Sequence, residues 1–519
     1  MLVSSFGVGQ TAAAPGQTVL VVPFENESKA PGLEWIGDSF PELLKERLDS
    51  PSLFVLPRED RLRAYDRLGI PIELRPSRPT IYRIAEQLDV DYIVLGQYNF
   101  DGRAFSVNAQ LLDMRRTHLL PEMKETGPLP QLIDVQTGLA WDILHGIFPS
   151  AAANRDAYLR QAVPVRLDAF EHYIKGVIAS APEEQIQNFH EAVRLNPSYW
   201  VATLQLGKAY YRERQYEQAT TWLAKIPESD PLSSEANFFL GLSAYYHGDL
   251  SKAESAFFEV ADRLPLAGVY NDLGVVTDHR DKKAAIDCFQ KAAAADPTEP
   301  DYHFNLAVEF YRSGDTTGAA RQLRETLALR PDDIEAKSLL TMITSQPHGV
   351  VPASLKSPAE RIRSNYEEST FRQLTLKIDA VAEQRLAKAD PQTHARYHSD
   401  RGHQLLKQGF LLEAEREFRE ALTLNPSNGD AHSGLATVLE SANKYVDARN
   451  EAESALRLRP SSEALLVLAK LDLRENKPEM ANEEVDRALR MDPTNATAQG
   501  LKQTVAAKLA QEAQPLPNQ

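Results

Sequence analysis

The sequence predicts a multidomain chain: an N-terminal α/β domain on a mixed sheet, then an all-α superhelix of stacked helix pairs, a helix-pair solenoid. Three observations lead there. Strand-like apolar runs end before Pro164. Prolines then stand at 164, 197, 231, 265, 297 and 331, and again at 426, 460 and 493. Within most periods a small residue is followed 12 positions later by alanine: Gly207/Ala219, Gly241/Ala253, Ala307/Ala319, Gly402/Ala414, Ala436/Ala448 and Ala469/Ala481. A self-similar interval of this length marks a repeat array, in which each unit buries its apolar face on the next.

The elements follow in order. Residues 1–17 contain "TAAA" but neither Lys nor Arg. They read as a clipped signal peptide or as a disordered tail. Residues 18–148 form the α/β domain. "TVLVVPFEN" is β-branched and apolar, a buried strand. "LEWIGDSFPELLKERL" places Trp35, Ile36, Phe40, Leu43, Leu44 and Leu48 at helical spacing. "LFVLPR" is a second strand, and short helices are expected near 59–68 and 80–88. "DYIVLGQYNF" and "AFSVNAQLLDM" flank Asp101-Gly102 and predict a hairpin. A last helix is expected over about 130–146.

Eight helix pairs are expected, at about 166–199, 200–233, 234–266, 267–299, 300–333, 395–428, 429–461 and 462–494. The first array, with a trailing helix, covers 166–344, and the second, with a capping helix, covers 395–511. The first unit lacks about three residues between its helices. The small residues of each pair are expected to face one another, so that antiparallel helices approach closely. Leu206, Leu240, Leu273 and Leu306 on first helices, and Leu223, Phe257, Phe289 and Leu323 on second helices, fill the core around them. Proline ends each second helix because it cannot continue one. Residues 345–394 interrupt the array. "SQPHGVVPASLKSP" is a loop by composition, and 359–389 reads as one long or two short helices. That unit either bridges the two stacks or acts as a hinge.

Composition excludes several functions. The apolar and charged fractions, 43% and 25%, are those of a soluble globular protein. A formal charge of −16 without a basic run argues against nucleic acid, whose binding needs phosphate-neutralising Lys and Arg. No apolar run reaches the ~18 residues of a membrane-spanning helix. Cys288 is the only cysteine, which excludes an internal disulfide and a multi-thiolate zinc site.

Candidate catalytic residues do not assemble. His279-Arg280-Asp281 opens like a kinase catalytic loop, but the Gly-rich loop and Asp-Phe-Gly are missing. It reads as an inter-helix turn. His394 and His398 are one helical turn apart, and His403 lies off their face, so packing is expected, not metal binding. Cys288 reads as a structural thiol. Gly37-Asp38-Ser39 reads as a helix-start device. No cofactor site is expected and the chain reads as no enzyme.

The expected binding surface is the concave groove lined by the first helices. Its candidate residues are Leu204, Lys208, Tyr211, Arg212, Phe238, Tyr245, Asn271, Phe304, Tyr311 and Arg312, with Leu242, Val275, Asp278 and Val308 between them. Aromatics with Arg and Asn are the types enriched where proteins bind. The second array offers the more polar Ser399, His403, Ser433, Thr437 and Lys470.

"LGKAYYRERQYEQA", "LGLSAYYHGDLSKAESAF" and "FREALTLNP" resemble tetratricopeptide repeats. The resemblance implies a non-catalytic scaffold or adaptor that holds partner peptides or helices. "VVPFENES", "GLEWIGDSFPELL", "IAEQLDVDYIVLGQYNFDG" and "VNAQLLD" resemble the TolB-type N-terminal domain of bacterial TolB-like proteins with such repeats. The loop "IPIELRPSRP" departs from that family. The second resemblance implies a bacterial envelope protein, periplasmic or exported; the alternatives are a cytoplasmic signalling adaptor or a ligand-sensing N-terminal domain coupled to repeat-mediated binding.

Overall fold

The computed structural model describes residues 16–28, 30–50, 52–71, 76–149, 154–345, 360–386, 390–407 and 411–512. The expectations for residues 1–15 and for the loop 346–359 lie outside them. The N-terminal domain runs β1 (Gln17–Val21), β2 (Glu25–Asn26), α1 (Ile36–Leu48), β3 (Leu53–Val55), α2 (Arg58–Arg67), α3 (Arg78–Leu88) and β4 (Tyr92–Phe100). It continues with β5 (Phe105–Asp113), β6 (His118–Leu119), β7 (Met123–Gly127), α4 (Leu132–Ile147) and α5 (Arg155–Gln161).

The sheet order is β3-β1-β4-β5-β6, with β2 on β4 and β7 on β5. β1 lies parallel between β3 and β4, and β4 pairs antiparallel with β5 from Tyr92↔Asp113 to Phe100↔Phe105. The hairpin turns at Gly102, whose φ of +93° suits glycine. Asp101 Oδ1 accepts the amides of Arg103 and Ala104 across that turn. Alternation along β1 explains the two layers. Val19 and Val21 face α1 and α4; Leu20 and Val22 face α2 and α3. β6, β7 and α5 escape sequence reading. β7, Met-Lys-Glu-Thr-Gly, is a polar edge strand held by backbone pairing to β5, so no apolar alternation marks it. Ser39 caps nothing: its hydroxyl donates to the Ile36 carbonyl and accepts from Gln136.

Five helix pairs follow: Leu167–Ile178 with Pro182–Leu195, Trp200–Arg212 with Tyr216–Leu223, Ser233–His247 with Leu250–Arg263, Ala267–Thr277 with Lys282–Ala295, and Pro300–Arg312 with Thr316–Leu329. Ile334–Ser345 continues the stack. Three more pairs are Pro391–Lys407 with Leu411–Leu424, Gly429–Ser441 with Tyr445–Leu458, and Ser462–Arg474 with Pro478–Met491, capped by Ala496–Glu512.

The small residues do not face one another as expected. A Cβ on Gly207 would stand 2.5 Å from Leu223, and on Gly241, Gly274 and Gly402 it would stand 2.6–2.7 Å from Phe257, Phe289 and Phe418. These large residues lie one helical turn beyond the paired alanines, on the same face. Glycine therefore receives an inserted Leu or Phe side chain, and the alanine, itself fully buried, lets the helices close beside it. In the first pair Gly176 receives Phe189, 13 positions on and not 16, which is the three-residue deficit.

The N-terminal domain and the first two repeats share one core: Trp35 meets Phe170 edge-on, and Tyr173 donates to Glu42 at 2.9 Å. The second array touches the same domain through Arg416, which donates to Ser52 and lies over Phe148. The insert departs from expectation. Residues 360–367 are not helical, and a single helix, Glu368–Leu386, follows. That helix is pinned to the N-terminal domain by Arg372 on Asp49 and the Ser50 carbonyl, and by Leu376 in the α2–α3 core.

Candidate functional site

The first helices of the third, fourth and fifth repeats form a face, and residues 360–366 lie across it. Asn271 and Asn305 lie on the first helices of successive repeats, and both are fully buried. Their Nδ2 atoms each donate to the Arg361 carbonyl at 2.8 Å. Asn305 Oδ1 accepts the Arg361 amide at 2.8 Å, and Asp272 Oδ1 accepts the Arg363 amide at 2.8 Å. Asn305 Nδ2 also donates to Asn271 Oδ1 at 2.7 Å, which fixes both carboxamides. Alternate residues are gripped, the period of an extended chain.

The side chains of the gripped residues meet carboxylates. Arg361 makes a two-bonded fork on Asp333, at 2.7 and 3.0 Å, and reaches Asp301 at 2.8 Å and Glu335 at 2.9 Å. Its guanidinium lies 3.6 Å above the Phe304 ring. The Arg361 hydrogen bonds hold the Asp333 carboxyl below its ordinary value. Burial raises Asp301, but hydrogen bonds from Arg330 and Arg361 outweigh it and the net direction is down. Arg363 reaches Glu299 at 3.1 Å and Asp301 at 3.3 Å. Burial raises Asp272 well above the carboxylate range, against the Arg363 amide that lowers it. Ile362 and Tyr366 turn to the apolar cluster of Phe238, Leu242 and Leu273, with Tyr366 5.2 Å from Phe238. The segment begins at Glu360, an ion-pair partner of Arg312.

Of the residues expected in the groove, Asn271, Phe238, Phe304 and Arg312 therefore meet this segment. Lys208 lies beside it but pairs with Glu235 at 2.7 Å and with Glu59 of α2 at 3.6 Å. Tyr211 and Tyr245 join an aromatic cluster with Phe239, Tyr216 and Tyr246. Tyr311 is buried in the fifth-repeat core, and Arg212 is exposed and donates to Gln185. Leu204 is a correction: it packs between repeats against Leu223, Ile226 and Ala236, away from any open face. Sequence reading missed Asp272 and Asn305, which share one position two residues before the small residue. A polar residue inside an otherwise apolar helix face was the signal. It also missed Glu299, Asp301, Asp333 and Glu335, a run of acids around first-helix starts.

The other candidates have structural roles. Asp281 caps the next helix by accepting the amides of Lys283 and Ala284, and Arg280 pairs with Glu254. His398 bridges Glu417 at 2.7 Å and His394 at 3.1 Å in a buried cluster. His403 lies edge-on to Phe418. Among the described residues no group of three potential ligands could hold a metal ion, and no helix is long and apolar enough to cross a membrane. Burial pushes the half-buried Cys288 thiol up.

Tetratricopeptide repeat family models match residues 179–237, 278–334 and 399–463, so these helix pairs are tetratricopeptide repeats. The chain is 26% identical over 222 residues to human protein O-mannosyl-transferase TMTC1, covering 42% of this chain and 22% of that protein. It is 30% identical over 125 residues to BBSome complex member BBS4 of Xenopus tropicalis, covering 23% and 24%. The chain thus spans less than a quarter of the length of these relatives. Among solved structures, MamA 41-end from Desulfovibrio magneticus RS-1 is 23% identical, covers 33% of this chain and 99% of its own, and has a TM-score of 0.31. YrrB, described as "a TPR protein with an unusual peptide-binding site", is 16% identical over 33% of this chain and 91% of its own, with a TM-score of 0.30.

Proposed function

We propose that this chain, which carries tetratricopeptide repeats, is a non-catalytic scaffold that grips extended polypeptide along the first helices of its third to fifth repeats. One observation carries the reading: Asn271, Asp272 and Asn305 bind the backbone at Arg361 and Arg363. Backbone capture selects an extended chain, and flanking pockets then select side chains. The peptide-binding site named for YrrB accords with this role. The N-terminal sheet domain, TolB-type by resemblance, anchors the groove-lying segment through the helix Glu368–Leu386.

A displayed library of random peptides tests the reading, selected on the full chain with 360–366 replaced by Gly and Ser. Recovered peptides are expected to lose binding on Asn271→Ala/Asn305→Ala. Undiminished binding to that variant would overturn the groove. We further propose an envelope setting, on the TolB-type resemblance and the small-residue run "TAAA". Fusion of residues 1–40 to an export reporter tests it, and a reporter retained inside the cell would favour the cytoplasmic alternative.

A further inference from the structure

We propose that Glu360–Tyr366 is an internal stand-in for the partner, which closes the groove until an outside chain bearing an extended Arg-apolar-Arg motif displaces it. The inference rests on the groove reading above and adds the chemistry of the partner and the control of access. The segment belongs to neither repeat array, yet its backbone and side chains make the contacts of a bound peptide. Two guanidiniums are answered by four carboxylates: Asp301, Asp333 and Glu335 at Arg361, and Glu299 and Asp301 at Arg363. The fork on Asp333 and the stacking on Phe304 both need a planar guanidinium, which lysine lacks. Ile362, between them, faces the apolar cluster of Phe238 and Leu273.

Exchange explains the specificity. A partner bringing the same two arginines replaces every ion pair that Arg361 and Arg363 give up with Glu299, Asp301, Asp333 and Glu335. A neutral peptide would leave Asp301 and Asp333, both largely buried, with the half-exposed Arg330 alone as counter-charge. Access is controlled because a tethered ligand competes at an effective concentration on the order of millimolar. The tether ends on the helix Glu368–Leu386, so anything that loosens Arg372 from Asp49 frees the segment as well.

The probe is a fluorescein-labelled peptide with the sequence of residues 357–368, titrated against the full chain. Binding to Arg361→Ala/Arg363→Ala is expected to be at least about tenfold tighter than to wild type. Adding Asn271→Ala/Asn305→Ala should abolish it. A probe with lysines for both arginines should bind at least about tenfold more weakly. The chain with Gly and Ser over 360–366 serves as a second opened variant, and retained helicity on circular dichroism shows that each variant folds. Equal probe affinity for wild type and both opened variants overturns the closure. Equal affinity of the lysine probe overturns the arginine motif. Failure of both probes on opened chains that still bind library peptides overturns the partner class and leaves the groove reading standing; failure of the library as well removes that reading. A dimer that forms on opening and dissolves with Asn271→Ala/Asn305→Ala would make the occupant a second copy and overturn the outside partner.

Discussion

In the first array Asn271, Asp272 and Asn305 direct their hydrogen bonds outward, to a peptide backbone. In the second, Ser433 and Thr437 bond back to their own helix, Thr437 also reaches Glu463, and Lys470 pairs with Glu440. The arginines repeat the contrast. Arg312 reaches Asp278 and then Glu360 of the gripped segment; Arg449 reaches Asp472 and then Glu475 at the end of the neighbouring helix. One repeat scaffold thus carries a face that holds a segment from outside the repeats and a face whose Thr437 and Lys470 pair within the array. The difference lies in side-chain reach: a carboxamide projects past its own helix, while a Ser or Thr hydroxyl finds the carbonyl one turn back.

The largest expected effect should be blind to that contrast. Phe257→Ala and Phe418→Ala each remove a ring seated on glycine, in the first and second array respectively. Each is expected to cost about 3–5 kcal/mol in urea unfolding. A much smaller cost in one array would show that the ring-on-glycine device is not shared. Arg361→Ala should then separate the arrays. It removes the forked partner of Asp333 and one of three arginines on Asp301, and is expected to cost about 2–3 kcal/mol, with amide exchange accelerated at 360–366. Lys470→Ala, its counterpart on the polar face, should cost under about 1 kcal/mol.

A pH effect comes next, and both arrays carry it. Burial, then the neighbouring Asp278, pushes Glu309 up to about 8. Burial, then Asp472, pushes Glu484 up to about 8. Asp278 Oδ1 and both Glu309 carboxylate oxygens are buried without a donor, which a shared proton supplies. A raised carboxyl contributes stability that is full below its unfolded value near 4.5 and is lost as pH rises through about 8. Each site is therefore expected to lose on the order of 1–2 kcal/mol between pH 6 and 9. Glu309→Gln should flatten the first array's share alone, as read by the pH dependence of the melting temperature. The smallest effect belongs to Arg212→Ala. That side chain is exposed, so the change should stay within about 0.5 kcal/mol.

The eight helix pairs were legible, because each rests on a period that any one unit repeats. The short first pair was legible for the same reason. The partner of each glycine was not: alanine and the ring behind it lie on one face of the same helix, and sequence cannot say which of them the glycine meets. The polar edge strand β7 was invisible because backbone pairing, not side-chain pattern, makes it. Of the ten groove candidates, Asn271, Phe238, Phe304 and Arg312 meet the segment 360–366. The groove's acids drew no reading, and its occupant was read as helix.

That last misreading separates what each level determines. Local spacing by itself dictates which faces are apolar, so it determined the sheet domain and the eight helix pairs. Only the tertiary structure decided that residues 360–366 leave the helix and cross those residues. The contact joins Arg361 to Asn305, 56 positions away, with no period to announce it. Four carboxylates held together by two helix starts offer those arginines more than a helical turn can, and that field exists only once the repeats have stacked.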